Sequence, residues 1–430
     1  MDDLRIINGL VYQNNQFVPT NIYIKDGIIS AITTDVYEAK ETYDCEGDLV
    51  LPGIIDPHTH FELDLGTQSS KDDFYHGTKA AAFGGVTTII DFLQPAQTAS
   101  ELHQTYKERK QQAQNSVIDY AFHACLRNPL GIEEIVQAMN DNHLKTVKIF
   151  TTYSESNRRT YDPEIQELLR YSKRHGFTVT AHIENDEMIN KDPSLPYQSL
   201  PQARPTEAET NEALKLAGFV RETGGTLYMV HCSSGNTIQA LSEQYSDILH
   251  TQFLVETCPH YVMFNHSVLN RVHGYLFTMA PPLRSQQEQE LLIANIDNID
   301  TIGTDHCTFL QTDKKHTLLQ NIPLGVNGVE ESFRILFTKC GINIIDKMTI
   351  NVAKAHHLYP RKGVIAIGSD ADLFIYRQQP RTITLGHGAC DYTIYEGFEV
   401  NGDVISTISR GEFVVKHQSF IPHIGQLVKR

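Results

Sequence analysis

The sequence predicts a (β/α)8 barrel of the TIM type, joined to a small β-sandwich domain built from both chain termini. Three observations lead there. Eight short apolar runs rich in β-branched residues recur through the middle of the chain. Helical patterns lie between most of them, and both ends of the chain read as short strands punctuated by turn residues. At 430 residues the chain has room for a barrel of about 250 residues and a further small domain.

At the N-terminal end, Leu4–Ile7, Asn21–Lys25 and Ile28–Thr33 read as strands, with turn signals at Asn8-Gly9 and Asp26-Gly27. The barrel runs follow: Ile54–His58, Thr87–Phe92, Val117–Ala124, Thr146–Thr151, Thr178–Ile183, Thr226–His231, Gln252–Cys258 and Ile299–Thr304. Helical patterns between them include Glu101–Ala113, Glu164–His175, Glu207–Glu222, Gly235–Tyr245 and Gln286–Asn295. The stretch from Cys258 to Ile299 is longer than the other connections and is expected to carry an active-site loop. At the C-terminal end, Ala371–Tyr376, Tyr392–Glu396 and Val404–Ser409 read as strands, with Gly397, Asn401-Gly402 and Arg410-Gly411 between them. The expected division is 52–361 for the barrel and 1–51 plus 362–430 for the β domain.

Composition narrows the class. Lys and Arg number 36 against 52 Asp and Glu, a formal charge of −16, which argues against a nucleic-acid or anionic-membrane partner. The seven cysteines are scattered, odd in number and without a C-x-x-C pair, so buried thiols in a reducing compartment are expected rather than disulfides. Met1-Asp2-Asp3-Leu4-Arg5 is not the start of a signal peptide, and no apolar run approaches the roughly 20 residues of a membrane span. A cytoplasmic location is expected.

The chemistry sits at the strand ends. His58 and His60 close the first run as a His-x-His pair, and period-two geometry turns both imidazoles to one side, able to chelate one ion. By itself the pair also reads as two polar strand-end residues. His182 then ends the fifth run, His231 ends the sixth, and Asp305 follows the eighth. The C-terminal ends of barrel strands open into one shared mouth, where active sites lie. Singly, each residue reads as a structural histidine or a capping aspartate; all five together read as a metal site. Four imidazoles and a carboxylate suit borderline ions such as Zn2+, and exceed what one catalytic ion with an open position takes, so two ions are expected. Ions about 3.5–4 Å apart need an anionic bridge. Lys148 ends the fourth run, where a cation would be repelled. Carbamylation by CO2 would turn it into a bridging carboxylate; an ion pair with an acid elsewhere in the barrel is the equal alternative.

Several stretches carry a resemblance. They are Leu51-Pro52-Gly53-Ile54-Ile55-Asp56-Pro57-His58-Thr59-His60, Lys71-Asp72-Asp73-Phe74 and Ala80-Ala81-Ala82-Phe83-Gly84-Gly85-Val86-Thr87-Thr88. Later come Glu256-Thr257-Cys258-Pro259-His260-Tyr261, Ala280-Pro281-Pro282-Leu283-Arg284, Gly303-Thr304-Asp305-His306-Cys307, and Lys362-Gly363 through Ala371-Asp372-Leu373. In this order, over nearly the whole chain, they resemble the dihydropyrimidinase/hydantoinase branch of the amidohydrolase superfamily. The resemblance implies a hydrolase that opens a cyclic amide or ureide ring with a metal-bridging hydroxide as nucleophile. It implies His58 and His60 on one divalent ion, His182 and His231 on the other, zinc first and manganese as the alternative, with N6-carboxylated Lys148 between them. Asp305, a further ligand, would carry the proton from nucleophile to leaving nitrogen. Tyr153 stands where similar enzymes place a tyrosine that donates to the developing oxyanion. A homo-oligomer, dimer or tetramer, is also implied, although by the same resemblance much of the C-terminal tail that helps such dimers form is expected to be missing.

There are departures. Ala280 stands where hydantoinases have Ser before the Pro-Pro pair, and Leu324 in Pro323-Leu324-Gly325 where they have Asn. Those two positions reach the ring largely through backbone groups, so both remain substrate-binding candidates. Allantoinases and dihydroorotases share the binuclear site. Dihydroorotases carry an arginine two residues after the His-x-His pair; here that residue is Glu62. Glu62 and Asp64 are expected to make the mouth negative, favouring neutral rings over dihydroorotate, with Arg284 the nearest cation for a carboxylate. Relatives that act as non-catalytic scaffolds have lost the ligands, whereas all six candidates stand here.

Overall fold

A computed structural model describes residues 1–66 and 68–430. Its central sheet holds eight parallel strands, each hydrogen-bonded to the next in chain order. They are β1 (Ile54–Thr59), β2 (Val86–Phe92), β3 (Asp119–Cys125), β4 (Thr146–Phe150), β5 (Thr178–His182), β6 (Leu227–Met229), β7 (Phe253–Thr257) and β8 (Thr301–Ile302). Every residue of β1, β2, β3 and β5 is buried. Strands covered on both faces read as continuous rather than alternating apolar runs, which is why all eight stand out in the sequence.

The ring closes differently from the way it propagates. β8 has only two residues, and the seam back to β1 is made beyond it. Thr59 and His306 form an isolated parallel bridge, in which His60 N–H donates to His306 O at 2.9 Å. The Asp56 carboxylate accepts both the backbone N–H and the hydroxyl of Thr304. The seam therefore runs between the two segments that carry His58, His60 and Asp305.

Helices pack outside with conventional end signals. Asp73, Thr98, Ser234 and Ser285 cap Phe74–Phe83, Ala99–Gln112, Gly235–Gln244 and Gln286–Ala294 through their side-chain oxygens. Asp162–His175 buries Ile165, Leu168, Leu169 and Ser172, one face of a helix, and ends at Gly176 with φ 66°.

The chain ends form a nine-stranded, mostly antiparallel sheet. Leu49–Pro52 pairs antiparallel with Leu373–Arg377, which joins the N-terminal strands to the C-terminal ones. The long strand Asp2–Gln13 pairs with Gln16–Lys25 on one side and with both Ala39–Asp44 and Leu49–Pro52 on the other, so the sheet branches there around Leu4, Ile6, Val11, Ile22, Ile24, Ile375 and Ile408. Two expectations need correction. Asn8-Gly9 is not a turn but a bulge inside Asp2–Gln13, with Asn8 at φ 57° and a Cβ on Gly9 falling 2.5 Å from Val50 Cγ2. Tyr392–Glu396 is not a strand: the Asn327 side chain takes the Tyr392 carbonyl and the Ile394 N–H, and this loop needs no neighbouring strand. The seven cysteines are free, five of them buried.

Candidate active site

The strand ends bring the predicted residues to one place. His58 Nε2 and His60 Nε2 each lie 3.1 Å from Asp305 Oδ1, and the three ligand atoms fall within 4.8 Å of one another. The His231 ring stacks its edge on His182 at 4.6 Å between centroids and lies 5.4 Å from His58. Lys148 is buried beside them, its Nζ 5.1 Å from the Phe92 ring and 5.5 Å from the Phe150 ring. Among the described residues it has no ion pair, so the alternative of a structural salt bridge finds no acid.

Two of the four histidines are held from behind by carboxylates. His58 Nδ1 lies 2.7 Å from Glu256 Oε1, and the same oxygen accepts the His231 backbone N–H at 2.9 Å. The other Glu256 oxygen accepts from the Tyr228 hydroxyl at 2.7 Å. His182 Nε2 lies 2.7 Å from Glu184 Oε2, and Arg204 grips that carboxylate. Such carboxylate–histidine pairs fix which ring nitrogen faces inward. Charges follow. Burial would push His58 down, but Glu256 and Asp305 hold it up at about 9. Burial pushes His182 down to about 4, His231 well below the ordinary value, and Lys148 down to about 8. Against its burial, His58 and His60 hold Asp305 well below the usual carboxylate range. The neutral imidazoles of His60, His182 and His231 and the ionised Asp305 are what a divalent cation takes, and His58 would give up its proton to one.

The residues fit such an ion on two further grounds. His60 Nδ1 and His231 Nδ1 are buried without a hydrogen-bond partner among the described residues. Tyr153, His231 and Asp305 all take the left-handed conformation, at φ 68°, 42° and 50°, a local strain that non-glycine residues carry mainly where geometry is imposed. The second acidic group, Asp119, Asp370 and Asp372, is different: Lys362 Nζ sits 2.8, 3.1 and 2.6 Å from the three and serves as their cation.

All of the candidate ligands line one cavity of about 250 Å³, and so do Tyr153, Ala280 and Leu324. Arg204 Nη2 donates to the Tyr153 hydroxyl oxygen at 3.2 Å, leaving its O–H free to donate inward. Ala280 lies within the long connection after β7, as its length suggested. Glu62 does not line this cavity. It lies in a separate groove with Asp73, Phe74 and Glu108, close to Arg109, so the expected negative mouth loses its main premise. Arg284 is also turned away, bound to Ser233, the Arg204 carbonyl and Glu209. Sequence reasoning missed Glu184, Arg204 and Arg158. Glu184 alone left a signal, two residues after His182, just past the end of β5.

Over residues 49–414 the chain matches the Amidohydrolase family. It belongs to that family. Its members are metal-dependent, in keeping with the donor groups here. The chain is 32% identical to the D-hydantoinase of Geobacillus stearothermophilus, covering 99% of this chain and 96% of that one. It is likewise 32% identical to a D-phenylhydantoinase of Escherichia coli O81 (strain ED1a), over 98% and 96% of the two chains. The dihydropyrimidinase of Brevibacillus agri NCHU1002 superposes with a TM-score of 0.93 at 30% identity, covering 100% of this amidohydrolase and 99% of the neighbour.

Proposed function

We propose that this amidohydrolase opens the ring of a cyclic ureide of the hydantoin or dihydropyrimidine type. The observation that carries the reading is the convergence of His58, His60, Lys148, His182, His231 and Asp305 on one cavity that also holds Tyr153. His58, His60 and Asp305 would hold one divalent ion, His182 and His231 a second, and Lys148, carbamylated, would join them; zinc is the first choice and manganese the second. When bound, such ions supply a lowered water pKa and a polarised carbonyl. The chain's own groups do the rest. Asp305 accepts the proton of the attacking water and returns it to the ring nitrogen as the C–N bond breaks. Tyr153 donates its O–H to the carbonyl oxygen as charge develops there. Backbone groups near Ala280 and Leu324 face the ring amide, so neither replacement removes a contact that a side chain must make.

A non-catalytic scaffold would not need six intact ligands with carboxylates behind two of them. We also propose a homo-oligomer, dimer or tetramer, and the free thiols suit a reducing cytoplasm. Among the described residues no helix is long and apolar enough to cross a membrane.

The test is metal removal. Chelated protein is expected to lose ring opening of hydantoin and dihydrouracil and to regain it with zinc or manganese. Lys148→Ala is expected to lose metal along with activity, with partial rescue by short carboxylic acids. Purified protein with neither bound metal nor turnover would overturn the reading in favour of the scaffold.

A further inference from the structure

Arg158 reaches the cavity wall from the loop that follows β4. That loop is folded back on itself. Tyr153 and Asn157 turn it with left-handed backbones at φ 68° and 56°. The Arg158 N–H donates to Tyr153 O at 3.1 Å, and Thr160 N–H to Phe150 O at 2.7 Å. The Ser154 hydroxyl ties the same loop to Asp186. The guanidinium is therefore delivered to the cavity by a fixed backbone.

It arrives without a partner. Among the described residues the Arg158 side chain makes neither an ion pair nor a hydrogen bond. The acids along this rim are already engaged. Asp186 pairs with Lys191 at 3.0 Å and Arg159 at 3.6 Å, Glu187 with Arg159 at 2.6 Å, Glu155 with Lys191 at 2.8 Å, and Glu101 with Arg127 at 3.0 Å. In a chain with 52 acidic and 36 basic residues, a half-buried arginine with no acid is a departure from what charge balance alone would arrange. The cavity lining also includes the apolar side chains of Leu63, Leu65, Leu93 and Pro95. Apolar lining and one unpaired guanidinium are complementary to an aliphatic stem with an anionic end.

We propose that Arg158 is the anchor for a negatively charged arm on the ring substrate: a cyclic ureide whose ring carbon bears a short aliphatic chain ending in a carboxylate. The inference rests on the ring-opening reading above and adds the substituent to it. Guanidinium and carboxylate match as planar, two-point partners, which gives orientation as well as attraction. Glu62 and Arg284, the residues that sequence alone put forward for sensing charge, are both turned away from the cavity, so Arg158 is the group that decides it.

The experiment compares two hydantoins that differ only in charge, 5-(2-carboxyethyl)hydantoin and its 5-(2-carbamoylethyl) isostere. The ratio of their kcat/KM values is expected to favour the carboxylate. It is expected to fall by about tenfold or more in Arg158→Gln and to recover in part in Arg158→Lys. Turnover of the carbamoyl compound reports whether each variant is folded and loaded. A ratio near one in the native enzyme, or one unmoved by Arg158→Gln, overturns the proposal. If neither compound is opened, the ring-opening reading fails instead. Calorimetric binding of the same pair then decides the anchor, and equal affinities overturn it.

Discussion

Asp305 offers both His58 and His60 the same oxygen, Oδ1, and among the described residues its Oδ2 makes no hydrogen bond. One oxygen is placed for a ligand role and the other is left to carry a proton. Asp305→Asn is expected to keep the fold and most of the bound metal but to lose about 10²–10⁴ in kcat, the usual worth of a positioned acid–base group. Native-like turnover at full metal occupancy would remove Asp305 from the proton path. The strand-end residues were legible because period two and a shared barrel mouth constrain where such side chains go. Arg204 was not, because it comes from a connection 22 residues beyond His182 and its role exists only through Glu184 and Tyr153.

The segments that face the ring are held together by an element the sequence does not advertise. Lys314 is fully buried and donates to the carbonyls of Thr278 and Gly325, which flank Ala280 and Leu324. Burial pushes its amine down to about 7, and an amine donates hydrogen bonds in either charge state, so the link does not depend on its proton. Gly325 completes the joint: its N–H donates to Thr278 O at 3.0 Å, and at φ 156° a Cβ would fall 2.5 Å from Cys307 O. Lys314→Met is expected to raise KM for a cyclic ureide about tenfold, near 1.4 kcal/mol, with metal content unchanged. An unaltered KM would show that the two loops hold their own shape. Periodicity finds strands and helices, and it misjudged Tyr392–Glu396 because that loop is satisfied by a side chain, Asn327, rather than by a repeating ladder.

Across the whole molecule, one lysine ties the barrel to the terminal sheet. Lys362 pairs with Asp119 at the start of β3 and with Asp370 and Asp372 just before Leu373–Arg377, and Arg410 adds a second cation on Asp119 at 3.0 Å. Lys362→Met leaves buried Asp372 without a cation, and Asp119 and Asp370 with only Arg410 and Arg361, and is expected to destabilise the protein by about 3–5 kcal/mol, read as a lower thermal midpoint at neutral pH. A midpoint within error of the native one would mean that Arg410 and Arg361 suffice. The alternation of strands and helices made the barrel legible, and the likeness of the two chain ends made their shared sheet legible; the Lys362 joint was not, since its four members come together only in the fold. The seam of the barrel carries a last consequence. Between β8 and β1 the ring has few backbone hydrogen bonds, and the side chains of Asp56 and Thr304 make up much of the rest. His58 and His60 stand on one lip of that gap and Asp305 on the other. Whatever binds all three fastens the first strand to the last, so occupancy of the site strengthens closure of the ring, and the barrel is at its most rigid when it is ready to react.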